Sequence, residues 1–417
     1  MVAGRYMLIL CLCGILAFYA TLRVPREESV AGFSGEGFLP PVTWSPFESR
    51  YVKDQVRSSR LARWLTSVEG SPPPPVTNPR KEPFLILVWQ HGPFLENRHI
   101  RRFSNKTFSP WEGCSVDGCR LSYERGDLDR ADAVLFHLHR TRGVRELPRR
   151  TRRHQRWVFL TDESPLNTFL LNGRQRLSDY DGLFNWSMTY RLDSDVPVPY
   201  GRTVKRATES APVDPNGTPE LAAKDRLVAI LASNCRGANA RWSYVRELKS
   251  TLGDRLDVYG RCLGGNTTAC PGHFFKDCAV LAAYKFYLAF ENSNCREYVT
   301  EKAFWNGYHK FSVPVIMGAS KKSCESVLPP RSFLHVDDFD SPVDLANYLK
   351  YLDGRSREYY RFHEWRRYYK VINEHGYFGS ASKHYCRLCE ALHYNSPDEK
   401  IYHDLEAFWS KERDCAT

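Results

Sequence analysis

From Phe84 onward the chain alternates short, uninterrupted apolar runs with polar stretches long enough for helices. Phe84–Trp89 (FLILVW), Ala133–Phe136 (AVLF) and Trp157–Leu160 (WVFL) carry no charge, the pattern of strands buried on both faces of a parallel sheet. After a polar stretch at 201–224 the series resumes, with strands expected at Leu227–Leu231, Leu256–Tyr259, Tyr284–Phe290, Val313–Met317 and Phe333–Val336 and a helix at Arg241–Leu252. Strands alternating with helices predict an α/β fold. Two such series joined by a linker predict two Rossmann-like lobes, with a ligand cleft between them at the carboxyl ends of the strands.

Upstream, Met7–Leu22 contains no charged residue and is flanked by Arg5 and Arg23. At about 1.5 Å per helical residue this is short for a hydrocarbon core of about 30 Å, a shortfall that Tyr6, the arginines and a thin early-secretory bilayer can absorb. Phe18, Tyr19 and Leu22 stand where a cleavage site needs small residues, so a retained signal anchor is expected. The expected organisation is a cytoplasmic tail at 1–6, an anchor at 7–22 and a stem at 23–83 stiffened by Pro72–Pro75. A first lobe at 84–200, a linker at 201–224, a second lobe at 225–340 and a C-terminal segment at 341–417 follow.

Composition fits a lumenal location. The 417 residues, 42% hydrophobic, can bury the cores of two ordinary lobes. Of 13 cysteines, Cys11 and Cys13 lie in the anchor. The rest are many for a reducing compartment and odd in number, so at least one thiol is free or paired with another chain. Sequons at Asn105, Asn185, Asn216 and Asn266 agree, although Pro219 weakens the third. The net charge of +11 is densest at Arg140–Arg156, but no nucleic-acid-binding motif accompanies it. That run reads as a solvated face, and a basic cleft suits a diphosphate-bearing donor.

Three segments carry candidate chemistry. In Tyr284–Gly318 a strand ends at Phe290, Glu291–Asn294 form a polar loop, and Thr300 can cap a helix with Glu301 and Lys302 in its first turn. Free amides, a dipole and a lysine there suit a pyrophosphate, whereas ordinary capping with a solvated Glu–Lys pair is the structural alternative. In Ala232–Leu248 Arg241 opens a helix, where a lone arginine ordinarily faces solvent. In Trp157–Pro165 an acid at the end of a buried strand can take a proton in the cleft, and residue type does not separate Asp162 from Glu163. Asp193 and Asp195 imitate a D-x-D metal motif. Cys386-x-x-Cys389 beside His384 has zinc-ligand spacing, but no second close pair completes four ligands, so disulfides are expected. His137-x-His139 reads as a packed or hydrogen-bonded pair.

The first segment resembles the donor-binding signature of the α1,3-fucosyltransferases, whose F-E-N-S, Y-[VI]-T-E-K and V-P-V-x-x-G elements appear in order from Phe290 to Gly318. Ser233 to Arg241 is similar to the family's S-N-x(6)-R element, Glu163-Ser-Pro165 to its E-S-P, and Tyr190–Asp195 with Val198–Gly201 also match. The resemblance implies a GT-B-like, inverting, Golgi type II membrane enzyme. It would move L-fucose from GDP-fucose to the 3-hydroxyl of an N-acetylglucosamine in a glycan. Glu163 would be the general base. Glu291, Asn292, Tyr298, Glu301 and Lys302 would lie on the donor, Glu301 at its ribose or fucose hydroxyls and Lys302 at its phosphates. Arg241 would contact the diphosphate, and Ser233 would line the nucleotide pocket.

With Arg, Lys and helix-end amides meeting the leaving-group charge, no metal is required, Asp193 and Asp195 are not a metal site, and stimulation by a divalent ion stays open. Cys114 and Cys119 correspond to cysteines that join a C-terminal C-x-x-C, so the tail from about Ser341 would pack on the first lobe. Trp89–Phe94 departs from the antenna-modifying members, and Cys262, Cys270, Cys278, Cys295 and Cys324 resemble a branch that includes core-modifying enzymes. The acceptor therefore stays open between core and antenna. Protein O-fucosylation and a glycan-binding relative without catalysis are the rivals, and Glu163, Arg241, Glu301 and Lys302 together argue against the second.

Overall fold

In the computed structural model, which describes residues 59–169, 172–212, 218–270, 277–377 and 380–416, the apolar runs become two parallel sheets. The first comprises β1 (Phe84–Trp89), β2 (Cys119–Ser122), β3 (Ala133–His137), β4 (Arg156–Thr161), β5 (Trp186–Thr189) and β6 (Val196–Pro197), in the order β2-β1-β3-β4-β5-β6. Its outer strands β2, β5 and β6 were not expected, because CRLS and WSMT are broken by polar residues and VP is too short to stand out as an apolar run.

β7 (Gly201–Lys205) leads away, and the second sheet follows: β8 (Arg226–Leu231), β9 (Leu256–Tyr259), β10 (Tyr284–Phe290), β12 (Val313–Met317) and β13 (Leu334–His335), in the order β13-β12-β10-β8-β9. Every pairing in it is parallel. Outside the sheets, β11 (Asn294–Cys295) pairs antiparallel with β15 (Cys415–Ala416), and β7 with β14 (Tyr369–Asn373). The 201–224 link is thus structured where it leaves the first sheet. Gly201 is required there, since a Cβ would stand 2.4 Å from the Phe304 ring.

Four helices matter for the site: α1 (Gly92–His99), α2 (Arg241–Leu252), α3 (Pro342–Asp353) and α4 (His384–Tyr394). The expectation that the chain returns to the first sheet from Ser341 is corrected, because α3 packs on α2 and β8. Lys350 Nζ donates to Thr251 O at 2.9 Å, and Lys285 pairs with Asp353 at 2.6 Å. The return is made by α4, whose Tyr385, Leu388, Cys389 and Leu392 share one face at helical spacing and enter the core beside Ile86, Val88, Leu135, Val158 and Leu160.

Disulfides Cys114–Cys386 and Cys119–Cys389 tie α4 to the first sheet. Cys235–Cys262, Cys270–Cys278 and Cys295–Cys415 complete the set among the described residues, where Cys324 is a free, buried thiol. Asn105 and Asn266 are exposed. Asn185 is only 1% exposed, and both ends of its amide are used: Nδ2 donates to Lys400 O at 2.8 Å and Oδ1 accepts from Trp157 N at 2.8 Å. Asn216 and the Met7–Leu22 stretch lie outside the described residues. Among the described residues no helix is long and apolar enough to cross a membrane.

Candidate active site

β4 ends at Thr161, and the two acids after it have different fates. Asp162 is 4% exposed and accepts from Arg98 of α1 at 2.7 Å, while His384 of α4 lies at 2.9 Å and His375 at 3.4 Å. Burial opposes its charge, yet the Arg98 guanidinium, with the hydrogen bond from His384, holds the carboxyl well below the usual range. Asp162, His375 and His384 have metal-ligand spacing, but a protein cation already sits there. His375 Nε2 faces Val198 O at 2.9 Å, and its Nδ1 faces Arg98 at 3.5 Å. The other grouping, Cys119, Cys389 and His393, has both thiols in a disulfide.

Glu163 is partly exposed, and its partners come from the second sheet's side. Tyr298 OH donates to Glu163 Oε2 at 3.1 Å, and Asn292 Nδ2 lies 3.5 Å from the same oxygen. Ser293 Oγ donates to Ser164 Oγ at 2.8 Å, fastening the two loops together. Segments about 130 positions apart in sequence therefore meet at one carboxylate.

In the loop after β10, Glu291 organises the cations. Its Oε1 accepts from Thr300 N at 2.9 Å and Thr300 Oγ1 at 2.8 Å, and its Oε2 from Lys302 Nζ at 2.9 Å. Lys302 Nζ also reaches Thr300 Oγ1 at 2.8 Å and Glu301 at 3.4 Å. Burial alone would discharge this ammonium, but Glu291 and Glu301 overcome it and keep the lysine charged. Burial likewise pushes the Glu291 carboxyl up, and Lys302 pulls it back.

Helical backbone does follow Thr300, whose Oγ1 accepts from Lys302 N at 3.4 Å, but its form is corrected: Lys302–Gly307 is a wide π-type turn followed by the tight turn Tyr308–Lys310, and Glu291 already occupies the Thr300 amide. The wide turn lets two inward side chains follow in close succession, Phe304 against Gly201 and Asn306 donating to Tyr287 OH at 3.0 Å. Gly318, at φ +144°, closes the loop from below, where a Cβ would stand 2.8 Å from Glu291 Cβ.

Arg241 opens α2 but does not face solvent: it is 3% exposed. Its guanidinium donates to three neutral carbonyls, Phe290 O at 3.0 Å, Asn234 O at 2.8 Å and Arg236 O at 2.6 Å. Burial lowers its pKa, and Glu291 is the largest influence opposing that. A buried cation held by carbonyls rather than by a carboxylate keeps its charge available to an anion. Ser233 lies in the exposed loop above it.

The D-x-D pair is committed elsewhere. Asp193 is bridged by Arg191 at 2.5 Å and Arg296 at 2.6 Å, while Asp195 takes Lys400 at 2.7 Å and Tyr402 OH at 2.7 Å. His139 Nδ1 lies 2.8 Å from Asn167 O, whereas burial takes His137 down to about 3. Sequence reasoning missed Arg98 and His375 because each is an unremarkable residue in a polar stretch. Only chain folding brings them to Asp162.

Residues 81–201 match the family model described as "Fucosyltransferase, N-terminal", and residues 221–409 match "Glycosyltransferase family 10 (fucosyltransferase) C-term". The rat protein named alpha-(1,3)-fucosyltransferase 7 is 36% identical over 351 residues, covering 83% of each chain. Its human namesake is 35% identical over 356 residues, 84% of this chain and 92% of the relative. A bovine 3-galactosyl-N-acetylglucosaminide 4-alpha-L-fucosyltransferase is 39% identical over 289 residues, 68% of this chain and 72% of its own. A crystal structure of an alpha1,3-fucosyltransferase with GDP-fucose is 16% identical, with a TM-score of 0.44 over 84% of this chain and 98% of the other.

Proposed function

This chain belongs to glycosyltransferase family 10, the α1,3-fucosyltransferases, and from that premise we propose that it moves L-fucose from GDP-β-L-fucose to the 3-hydroxyl of an N-acetylglucosamine in a glycoprotein or glycolipid glycan. The observation that carries the reading is the 3.1 Å hydrogen bond from Tyr298 to Glu163, which joins the donor motif to the proton acceptor. The arrangement is of the GT-B kind: the acceptor lies against the first sheet, the donor against the second, and Glu163 between them.

In the proposed step the Glu163 carboxylate takes the proton of the acceptor hydroxyl as its oxygen attacks the fucose anomeric carbon. The bond from that carbon to the β-phosphate oxygen breaks on the opposite face, and GDP leaves with the electron pair. Configuration inverts from β to α. Lys302 meets the charge growing on the diphosphate, oriented by Glu291, while Glu301 holds donor hydroxyls. Arg241 adds its charge once the exposed Ser233–Ala240 loop yields carbonyl positions to phosphate oxygens. Arginine and lysine partners of Asp193 and Asp195 support a reaction that needs no metal at that motif. The reading includes a Golgi type II anchor at Met7–Leu22, with the sheets in the lumen.

With the purified full chain, Glu163→Gln should cut turnover by about a hundredfold or more while GDP affinity is kept. Near-normal turnover would remove the base assignment. An acceptor panel with product mapping should show transfer to the 3-position of N-acetylglucosamine, and transfer to peptide hydroxyls instead would overturn the acceptor class.

A further inference from the structure

The segment Phe408–Ala416 touches both halves of the site although it carries none of its chemistry. β15 pairs with β11, Asn294 opposite Ala416 and Cys295 opposite Cys415, and the same two cysteines form a disulfide. Arg296 N donates to Asp414 O at 2.7 Å. These contacts fall between Asn292 and Tyr298, the two residues that reach Glu163. At the other end Trp409 Nε1 donates to Thr168 Oγ1 at 2.9 Å, in the loop that follows Glu163. Asp414 is anchored in turn by buried Arg191 at 2.9 Å.

A two-residue ladder is too short to hold a loop by itself. This loop also contains Glu297 in a left-handed conformation, φ 58°, which a non-glycine residue adopts only when its surroundings enforce it. Glu297 itself is held by Ser323 Oγ, which accepts from its N at 2.7 Å, and by Leu192 N, while the disulfide and the Asp414 contact fix the two residues before it, Cys295 and Arg296, from outside the loop.

We propose that Cys415 and Asp414 are positioning residues for the donor: the 408–416 segment is a strap that holds the Asn292–Tyr298 loop in register with Glu163. The proposal rests on the donor-site reading above. A merely structural staple would cost stability and leave substrate parameters alone, whereas a strap on the donor loop changes donor parameters selectively.

The test is Cys295→Ser/Cys415→Ser in the full chain. KM for GDP-fucose and Kd for GDP should both rise by about tenfold, with the acceptor KM changed less than about twofold. A lower Tm with both KM values unchanged, or equal increases in both, would overturn the strap. The unaltered protein gives a second arm that needs no variant to fold, because coupling between two events is reciprocal. GDP should slow reductive labelling of Cys295 and Cys415 and leave Cys114 and Cys386 unaffected, and equal labelling with and without GDP would overturn the proposal. If the unaltered protein binds no GDP at all, the donor-site reading itself fails, which neither of those outcomes resembles.

Discussion

At Tyr298 a single oxygen separates packing from chemistry. The ring is 2% exposed and lies 5.1 Å from Tyr190 and 6.3 Å from Tyr200, so Tyr298→Phe keeps the aromatic contacts and removes only the donor to Glu163. A hydrogen bond to a charged acceptor contributes roughly 1.5–3 kcal/mol, so the variant should lose about ten- to a hundredfold in kcat, with a fall in Tm no larger than the loss of that one bond produces. Steady-state kinetics alongside calorimetry will check it. An unchanged kcat would mean that Glu163 is oriented without the donor loop. The same scale shows where reading the chain stops. Asp162 and Glu163 are adjacent acids at one strand end, and nothing in their residue types tells which is consumed by Arg98 and which is left for a ligand.

Elements set those fates. A strand's successive side chains point to opposite sides, so the two acids after β4 diverge, and α1 and α4 arrive on the Asp162 side with Arg98 and His384. Asp162→Asn removes the charge that balances a buried guanidinium, and breaking one partner of such a pair costs about 3–5 kcal/mol. Urea unfolding of the variant should show a loss of that size, while the protein that remains folded keeps its KM values. A loss of turnover without a loss of stability would instead give Asp162 a role in the chemistry. The second sheet was legible strand by strand, because continuous apolar runs have no other place to go. The turn after Thr300 was not, since periodicity alone cannot distinguish a regular helix from one wide turn forced by Phe304 against Gly201.

Across the whole molecule the buried ionisable groups give stability a common dependence on pH. Burial keeps His99, His363 and His375 well below their ordinary value of 6.5 and takes His137 to about 3, so these rings are neutral in the fold. Below pH 6.5 the unfolded chain binds protons that the fold refuses, and stability falls as pH falls. For Glu374, burial opposes the charge, but Arg202 and Arg387 overcome it and lower the carboxyl to about 2. Its depressed value adds stability that is present above the unfolded carboxyl range near 4.5 and is lost as pH drops toward 2. Tm should therefore be highest above about pH 7, decline between pH 6.5 and 5, and drop further below about 4.5. Calorimetry from pH 8 to 4 will show this, and a Tm that is flat from 7 to 5 would contradict neutral histidines in the core.

Read as a string, the chain specified its α/β class, the strands of the second sheet, the disulfide-rich character and the short motifs of its family, all of which depend on residues near one another in sequence. The sheet order, the partners of Asp162, the burial of Arg241 behind three carbonyls and the Cys295–Cys415 tether were decided by tertiary structure. Together they join positions from 5 to 222 residues apart, and only packing free energy selects which polar groups share a buried site.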